Sequence, residues 1–259
     1  MSCRSCSVRR SLRSVVDPEA RLAALGFDEE DVRVLATHFR AAEERGRTGH
    51  GYSRIEWLET WEELPLGVRP RRVVADAGFE RWDGGGALGY LVLDAVVSAQ
   101  LASPPPHARL VVADRTFPTG MLGYWTRRLA DGGLVAVLTA TSPRRLPHPE
   151  GGPPLAGTNP ISIAIPSSDG DPVVADVSMG AVTYGDVLTG RARADELVPF
   201  GGPHAHKAFA LAVGLQLLVD ALTADDDHGA VLLVAQPESD PVPALRTLAA
   251  GVRLPGDAR

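Results

Sequence analysis

The chain has 259 residues, 44% of them hydrophobic, enough for a substantial core in one large domain or two interlocked ones. A formal net charge of −6 and a pI near 5.6 exclude the concentrated basic surface that a nucleic-acid binder needs. Charged residues make up 22% with both signs interspersed from Pro18 onward, and no apolar run reaches the length of a membrane span, so neither nucleic acid nor membrane is an expected partner.

Residues 1–16, MSCRSCSVRRSLRSVV, are rich in Arg and Ser and contain no acid. They read as a disordered basic arm, with a transit peptide as the alternative. Both cysteines, Cys3 and Cys6, sit there as a lone C-x-x-C. A single pair lacks the further ligands of a structural zinc site, so no metal is expected. The rest of the chain has no cysteine, which fits a reducing cytoplasm.

Asp17-Pro18-Glu19 opens a helix with a capping Asp, Pro at the first helical position and an early acid. A second helix starts at Asp28, where Val32, Leu35, Ala36, Phe39 and Ala42 recur at three- and four-residue spacing. Gly46, Gly49 and Gly51 break that pattern around His50. Arg71 to Asp76 is a short β-prone run, and Gly89 to Ala102 is an apolar helix stopped by Pro104 to Pro106. Between them Gly84, Gly86 and Gly89 spell G-x-G-x-x-G. A dinucleotide fingerprint also needs a buried strand directly before it and an acid about 20 residues later. Glu80-Arg81-Trp82-Asp83 is a poor buried strand and Ser103-Pro104-Pro105-Pro106-His107 holds no acid, so the glycines are expected to serve a tight turn.

Leu110 to Ala113 and Leu134 to Thr139 look like buried strands, separated by a helix ending near Gly132. Ile161 to Pro166, Val173 to Val177 and Ala230 to Ala235 read as further strands, and Lys207 to Leu222 as a long apolar helix. The alternation indicates an α/β protein with a mixed sheet flanked by helices.

Three segments carry chemistry. The first is Gly157-Thr158-Asn159-Pro160-Ile161, with Gly151-Gly152 before it and Ala175-Asp176-Val177-Ser178 after it. The second is Gly49-His50-Gly51-Tyr52-Ser53-Arg54. An imidazole that titrates near neutral pH can donate a proton, and a guanidinium fork matches a carboxylate. The third is His204-Ala205-His206-Lys207-Ala208-Phe209, which places the chain's one lysine at a helix start. A lysine is poorly placed for the dipole there, and an anionic partner would explain it.

Together these segments resemble the malate/L-lactate/sulfolactate dehydrogenase-like family, which includes the piperideine- and pyrroline-2-carboxylate reductases. The likeness runs from about Arg21 to Pro237. It implies a non-Rossmann α/β fold with a smaller helical domain. Residues 76–204 would form the cofactor domain, and 17–75 with 205–259 the helical, substrate-binding part. It also implies reduction of a small 2-keto acid or cyclic imino acid with NADPH or NADH, in a homodimer. His50 would donate the proton, helped by Asp186 of Gly185-Asp186-Val187 and by Ser53, while Arg54 and Thr158 hold the carboxylate substrate. Gly120, Met121, Leu122, Gly157, Asp176, Ser178 and Lys207 would contact the cofactor.

The sequence departs from the family where its relay serine is Gly49 and where a cofactor-contacting histidine is Pro118. The stretch between Val187 and Lys207 is abbreviated. The C-terminus stops early, so part of the helical domain is expected to be missing. These departures motivate an alternative, a fold that performs cofactor-independent acid–base chemistry on a carboxylate or binds without catalysis.

Overall fold

The computed structural model describes residues 17–224 and 228–257, so the expected basic arm and the Cys3/Cys6 pair lie outside the described residues. The strands are β1 (Arg71–Ala75), β2 (Phe79–Asp83), β3 (Ala108–Asp114), β4 (Val135–Ala140), β5 (Ile161–Ile165), β6 (Val173–Val177) and β7 (Ala230–Ala235). The helices are α1 (Pro18–Ala24), α2 (Glu29–Glu44), α3 (Ser53–Leu58), α4 (Gly89–Ala102), α5 (Leu122–Asp131), α6 (Tyr184–Leu188), α7 (Ala205–Leu222) and α8 (Val242–Ala249). All seven strands form one mixed sheet in the order β1-β2-β3-β7-β4-β5-β6. Only β2 and β3 pair in parallel; every other neighbour is antiparallel.

Alternation along the central strands sends side chains to two different cores. Val111, Ala113, Leu138, Leu232 and Val234 join Leu35, Phe39, Leu93, Val97, Trp125 and Leu129 in the main cluster, beneath α2, α4 and α5. Val112 and Val231 point the other way and meet Val219 of α7. Helix α1 stands on α2, its first turn capped by Asp17, whose carboxylate accepts from Glu19 N. Asp28 caps α2 in the same way through Asp31 N.

The polar run before the glycine turn is β2, contrary to the sequence expectation. Its Glu80 is only 2% exposed, but the carboxylate accepts hydrogen bonds from Arg72, Gln100 and the Trp82 indole and lies 3.3 Å from Arg109. A buried charge is tolerated when it is paired and bonded this fully. Strand β2, the glycine turn, α4 and β3 therefore make a βαβ unit. The first turn of α4 is nonetheless closed to a phosphate: a Cβ at Gly89 would lie 2.7 Å from Pro118 O and 2.9 Å from Phe117 N. The backbone of 117–118 packs where a pyrophosphate would have to sit.

The sheet crosses the expected division of the chain. Strands β1 and β7 come from segments assigned to the helical part, yet β7 is hydrogen-bonded between β3 and β4 at the sheet's centre. Helix α7 also packs on β4 and β7. Helices α1 to α3 form a helical layer that reaches α4 and α5 through α2 and packs on α6 through α3. With the turn before it, α7 is long and apolar enough to cross a membrane by length and composition alone, an 18-residue stretch within residues 202–222 having mean hydropathy 1.4. In this fold its small face, Ala208, Ala212, Gln216 and Val219, is buried, while Leu211 and Leu217 are 56% and 61% exposed.

Candidate active site

The loop after α2 folds into a 3-10 turn over Thr48–His50 and enters α3 at Ser53. Ser53 Oγ donates to Thr48 O at 2.7 Å, so this hydroxyl closes the turn and does not serve His50. Arg54 is 7% exposed; its Nε donates to Gly49 O at 2.7 Å and its guanidinium lies over the Trp57 ring. Those contacts aim a nearly buried cation into a cleft rather than into solvent.

Gly49 meets the start of α6 back to back. A Cβ there would lie 3.1 Å from Gly185 C and 3.3 Å from Asp186 Oδ1, and one at Gly185 would lie 2.3 Å from Gly49 O. Close backbone approach therefore accounts for glycine where the resemblance leads one to expect serine. Asp186 caps α6 in a reciprocal box: its Oδ2 accepts from Thr183 N at 3.0 Å and from Thr183 Oγ1 at 2.7 Å. Burial raises the Asp186 pKa, but the Thr183 bonds, Arg191 and His50 outweigh it and hold the carboxyl below its usual value. Asp186, expected to help His50, makes no hydrogen bond to it. His50 Nδ1 is buried without a partner, and Asp186 acts on it through charge alone.

His50 faces the cleft with its pKa lowered to about 3, chiefly by burial and then by Arg54 and Arg47, with Asp186 opposing. It is neutral at neutral pH.

Across the cleft stands the turn Thr119-Gly120-Met121-Leu122. Gly120 has φ +70°, and a Cβ there would sit 2.3 Å from both His38 Nε2 and Tyr90 Cε1. His38, fully buried on α2, accepts a hydrogen bond from Met121 N at 3.1 Å and stacks on Trp125. Its Nε2 is an acceptor, so the ring is neutral with its proton on Nδ1. Burial, with His50 and Arg54 adding to it, holds its pKa well below the usual histidine value. The Tyr90 hydroxyl is buried, has no partner among the described residues, and belongs to a side chain lining the cleft.

The third wall comes from the 157–160 segment and β6. Asn159 bonds Ala212 O, Gln216 and Ser142 N, and a Cβ at Gly157 would lie 2.3 Å from Ser142 Oγ. Gly157 is thus a packing residue outside the cleft, whereas Thr158 lines it. Asp176 Oδ2 accepts from Gly123 N at 2.9 Å, and burial raises its pKa.

The cleft has a volume of about 160 Å³ and gathers His50, Arg54, Gly120, Met121, Leu122, Thr158, Asp176 and Ser178. Ser53, Gly157 and Asp186 stand behind it. Lys207 does not belong to it: it is exposed on the first turn of α7 and lines neither this cleft nor the cavity beside it. Reasoning from sequence missed His38, Tyr90, Thr183 and Arg145. The only sequence signal was a histidine inside the apolar stripe of α2. Among the described residues no group of three His, Cys, Asp or Glu could hold a metal.

A nicotinamide group fits these walls. Phe117, Pro118, Met121 and Leu122 offer apolar contact, and Thr158, Ser178 and Tyr90 offer hydroxyls. Two buried polar atoms, His50 Nδ1 and Tyr90 Oη, still lack partners among the described residues.

A family model described as malate/L-lactate dehydrogenase matches residues 12–197. The chain is 30% identical over 191 residues to a (2R)-3-sulfolactate dehydrogenase (NADP(+)) of Chromohalobacter salexigens, covering 70% of the chain and 55% of that relative. It is 28% identical over 228 residues to a Delta(1)-pyrroline-2-carboxylate/Delta(1)-piperideine-2-carboxylate reductase of Pseudomonas putida, covering 76% and 66%. The match spans about half to two thirds of the length of such curated relatives. Among solved structures, the delta1-piperideine-2-carboxylate reductase of Pseudomonas syringae pvar. tomato superposes with a TM-score of 0.80 at 23% identity, over 93% of this chain and 88% of that one.

Proposed function

The chain belongs to the malate/L-lactate dehydrogenase family, and from that premise we propose that it is an NAD(P)H-dependent reductase of small 2-keto acids or cyclic imino acids. The observation that carries this reading is the convergence of His50 and Arg54 on a cleft whose far wall is the Gly120–Leu122 turn, Thr158, Asp176 and Ser178. These far-wall groups would hold the nicotinamide end of NADPH or NADH, which supplies the hydride when bound.

Arg54 binds the substrate carboxylate by its fork. That ion pair offsets the Arg54 charge that lowers the His50 pKa, so the substrate carboxylate and Asp186 together favour the protonated imidazole that reduction uses, against the larger effect of burial. Reduction draws this proton to the carbonyl oxygen or imine nitrogen. Oxidation of the hydroxy or amino acid returns it to neutral His50. Asp186 favours the charged imidazole, and the unpartnered Tyr90 hydroxyl is a further donor for the bound oxyanion.

The Gly185-Asp186-Val187 segment and the pyrroline/piperideine relative favour a cyclic imino acid over an open-chain keto acid. A homodimer accords with the leucine face left open on α7. A cytoplasmic setting accords with the absence of cysteine beyond Cys6.

The test is calorimetric titration of the full chain with NADPH and NADH, then turnover assays on pyruvate, sulfopyruvate and piperideine-2-carboxylate. Binding of either dinucleotide, with turnover of at least one substrate, is expected. No binding at millimolar dinucleotide would sink the reductase reading, leaving His50 and Asp186 for acid–base chemistry alone.

A further inference from the structure

Beside the cleft lies a second cavity of about 300 Å³, which meets it at Arg47, Met121 and Asp176. Four arginines line this second lobe: Arg45, Arg47, Arg127 and Arg253. None of them makes an ion pair with a carboxylate among the described residues, whereas most arginines of the fold do. Arg33 apart, every described arginine lacking such a partner lines this lobe or the cleft.

The lobe is built, not incidental. The chain at 254–257 runs along β6, where Val174 N donates to Pro255 O at 2.9 Å and Arg127 Nη2 donates to Gly256 O at 2.5 Å. Gly256 has φ +93°, and a Cβ there would lie 2.8 Å from Val174 N, so the turn is pressed onto the strand. The two carboxylates on the wall are already engaged, Asp176 by Gly123 N and Asp257 by Leu254 N. Burial and the charge of Arg45 lower the Arg127 pKa, which Asp131, Asp171 and Asp257 only partly offset. Arg45 and Arg127 are half-buried while Arg47 and Arg253 are exposed; cations gathered on one wall in this way repel one another, and a multivalent anion relieves them.

The geometry points to a phosphomonoester site: the second lobe takes the ribose 2′-phosphate of NADPH, and the protein selects NADPH over NADH. This rests on the reductase reading, since the dinucleotide has to run from the His50 cleft past Met121 into the lobe. The first turn of α5 borders both lobes at Met121, but its Met121 and Gly123 amides are taken by His38 and Asp176, so the arginines carry the positive field along that path.

The experiment compares adenosine 2′,5′-diphosphate with 5′-AMP, which differ only by the 2′-phosphate, in calorimetric titrations of the full chain. Charge-assisted bonds to one phosphate predict about ten- to hundredfold tighter binding of the diphosphate. Arg253→Ala and Arg45→Ala should narrow the gap without changing the thermal midpoint of the unliganded protein, and added salt should narrow it further. The same preference should appear for NADPH over NADH. Equal affinity for the two mononucleotides, or a gap that survives both substitutions, would overturn the assignment. If the two dinucleotides bind equally well, the phosphate site falls and the reductase reading stands. If neither binds, the reductase reading falls, and the mononucleotide comparison still decides whether the lobe holds phosphate.

Discussion

At the scale of single residues, the chemistry was legible where a residue's type is its role. A histidine and an arginine four residues apart in G-H-G-x-x-R announced a proton donor and a carboxylate clamp, and His50 and Arg54 do share the cleft. What could not be read was where neighbouring side chains spend their hydrogen bonds. Ser53 serves Thr48 and Asp186 serves Thr183, each choice set by backbone geometry that no motif encodes. Lys207 looked like an anion ligand because it stands at a helix start, where the dipole disfavours a cation, but the cationic work at the two cavities falls to arginines. Two predictions follow from the His50–Arg54 pair. His50→Ala should lower turnover by roughly 10²-fold or more with dinucleotide affinity unchanged, the scale of lost general acid catalysis; a variant at the wild-type rate removes His50 from the mechanism. Arg54→Lys keeps the charge but loses the fork, so KM for the acid should rise well above any fall in kcat. A methyl ester used as readily as the acid would show that Arg54 does not read the carboxylate.

At the scale of elements, every long helix and most strands followed from periodicity and punctuation: Asp17-Pro18, Asp28 and Pro104 fall at real boundaries. Strand β2 failed because its buried face carries a paired Glu80 beside Trp82, and pairing is a tertiary fact. Helices α3, α6 and α8 are too short to show a repeat. Helix α7 was legible as apolar, but not as two-faced. Its alanines meet the sheet while Leu211, Leu217 and Leu218 remain 44–61% exposed. Contiguous leucines on a helix outside the core mark a contact surface. If that surface joins two copies, Leu217→Glu with Leu211→Glu should halve the mass measured by light scattering, while far-ultraviolet circular dichroism stays unchanged. A wild type already monomeric at micromolar concentration would refute the dimer.

At the scale of the whole molecule, the helical layer and the sheet layer are joined at the cleft by one buried histidine. His38 on α2 fixes the Gly120–Met121 turn through its unprotonated Nε2, so the cleft's far wall is shaped only while the ring is neutral. The sign of the pH dependence follows. His38 and His50 both have folded-state pKa values below the unfolded value near 6.5, so their contribution is full above that pH and is lost as pH falls toward their folded values. Between pH 7 and 5 an unfolded histidine gains a proton that folded His38, held neutral by burial, takes up less readily, so stability falls over that interval. Over that interval the depressed carboxylates, Asp83 and Asp186 among them, remain ionised, and the raised Asp31, Asp131 and Asp176 oppose the trend by gaining stability on acidification. The thermal midpoint should therefore drop from pH 7 to pH 5. His38→Gln, which keeps an acceptor for Met121 N but cannot titrate, should flatten that drop while preserving dinucleotide binding at pH 7. A midpoint independent of pH in the wild type, or an unchanged slope in the variant, would mean that the seam between the two layers does not depend on a neutral His38.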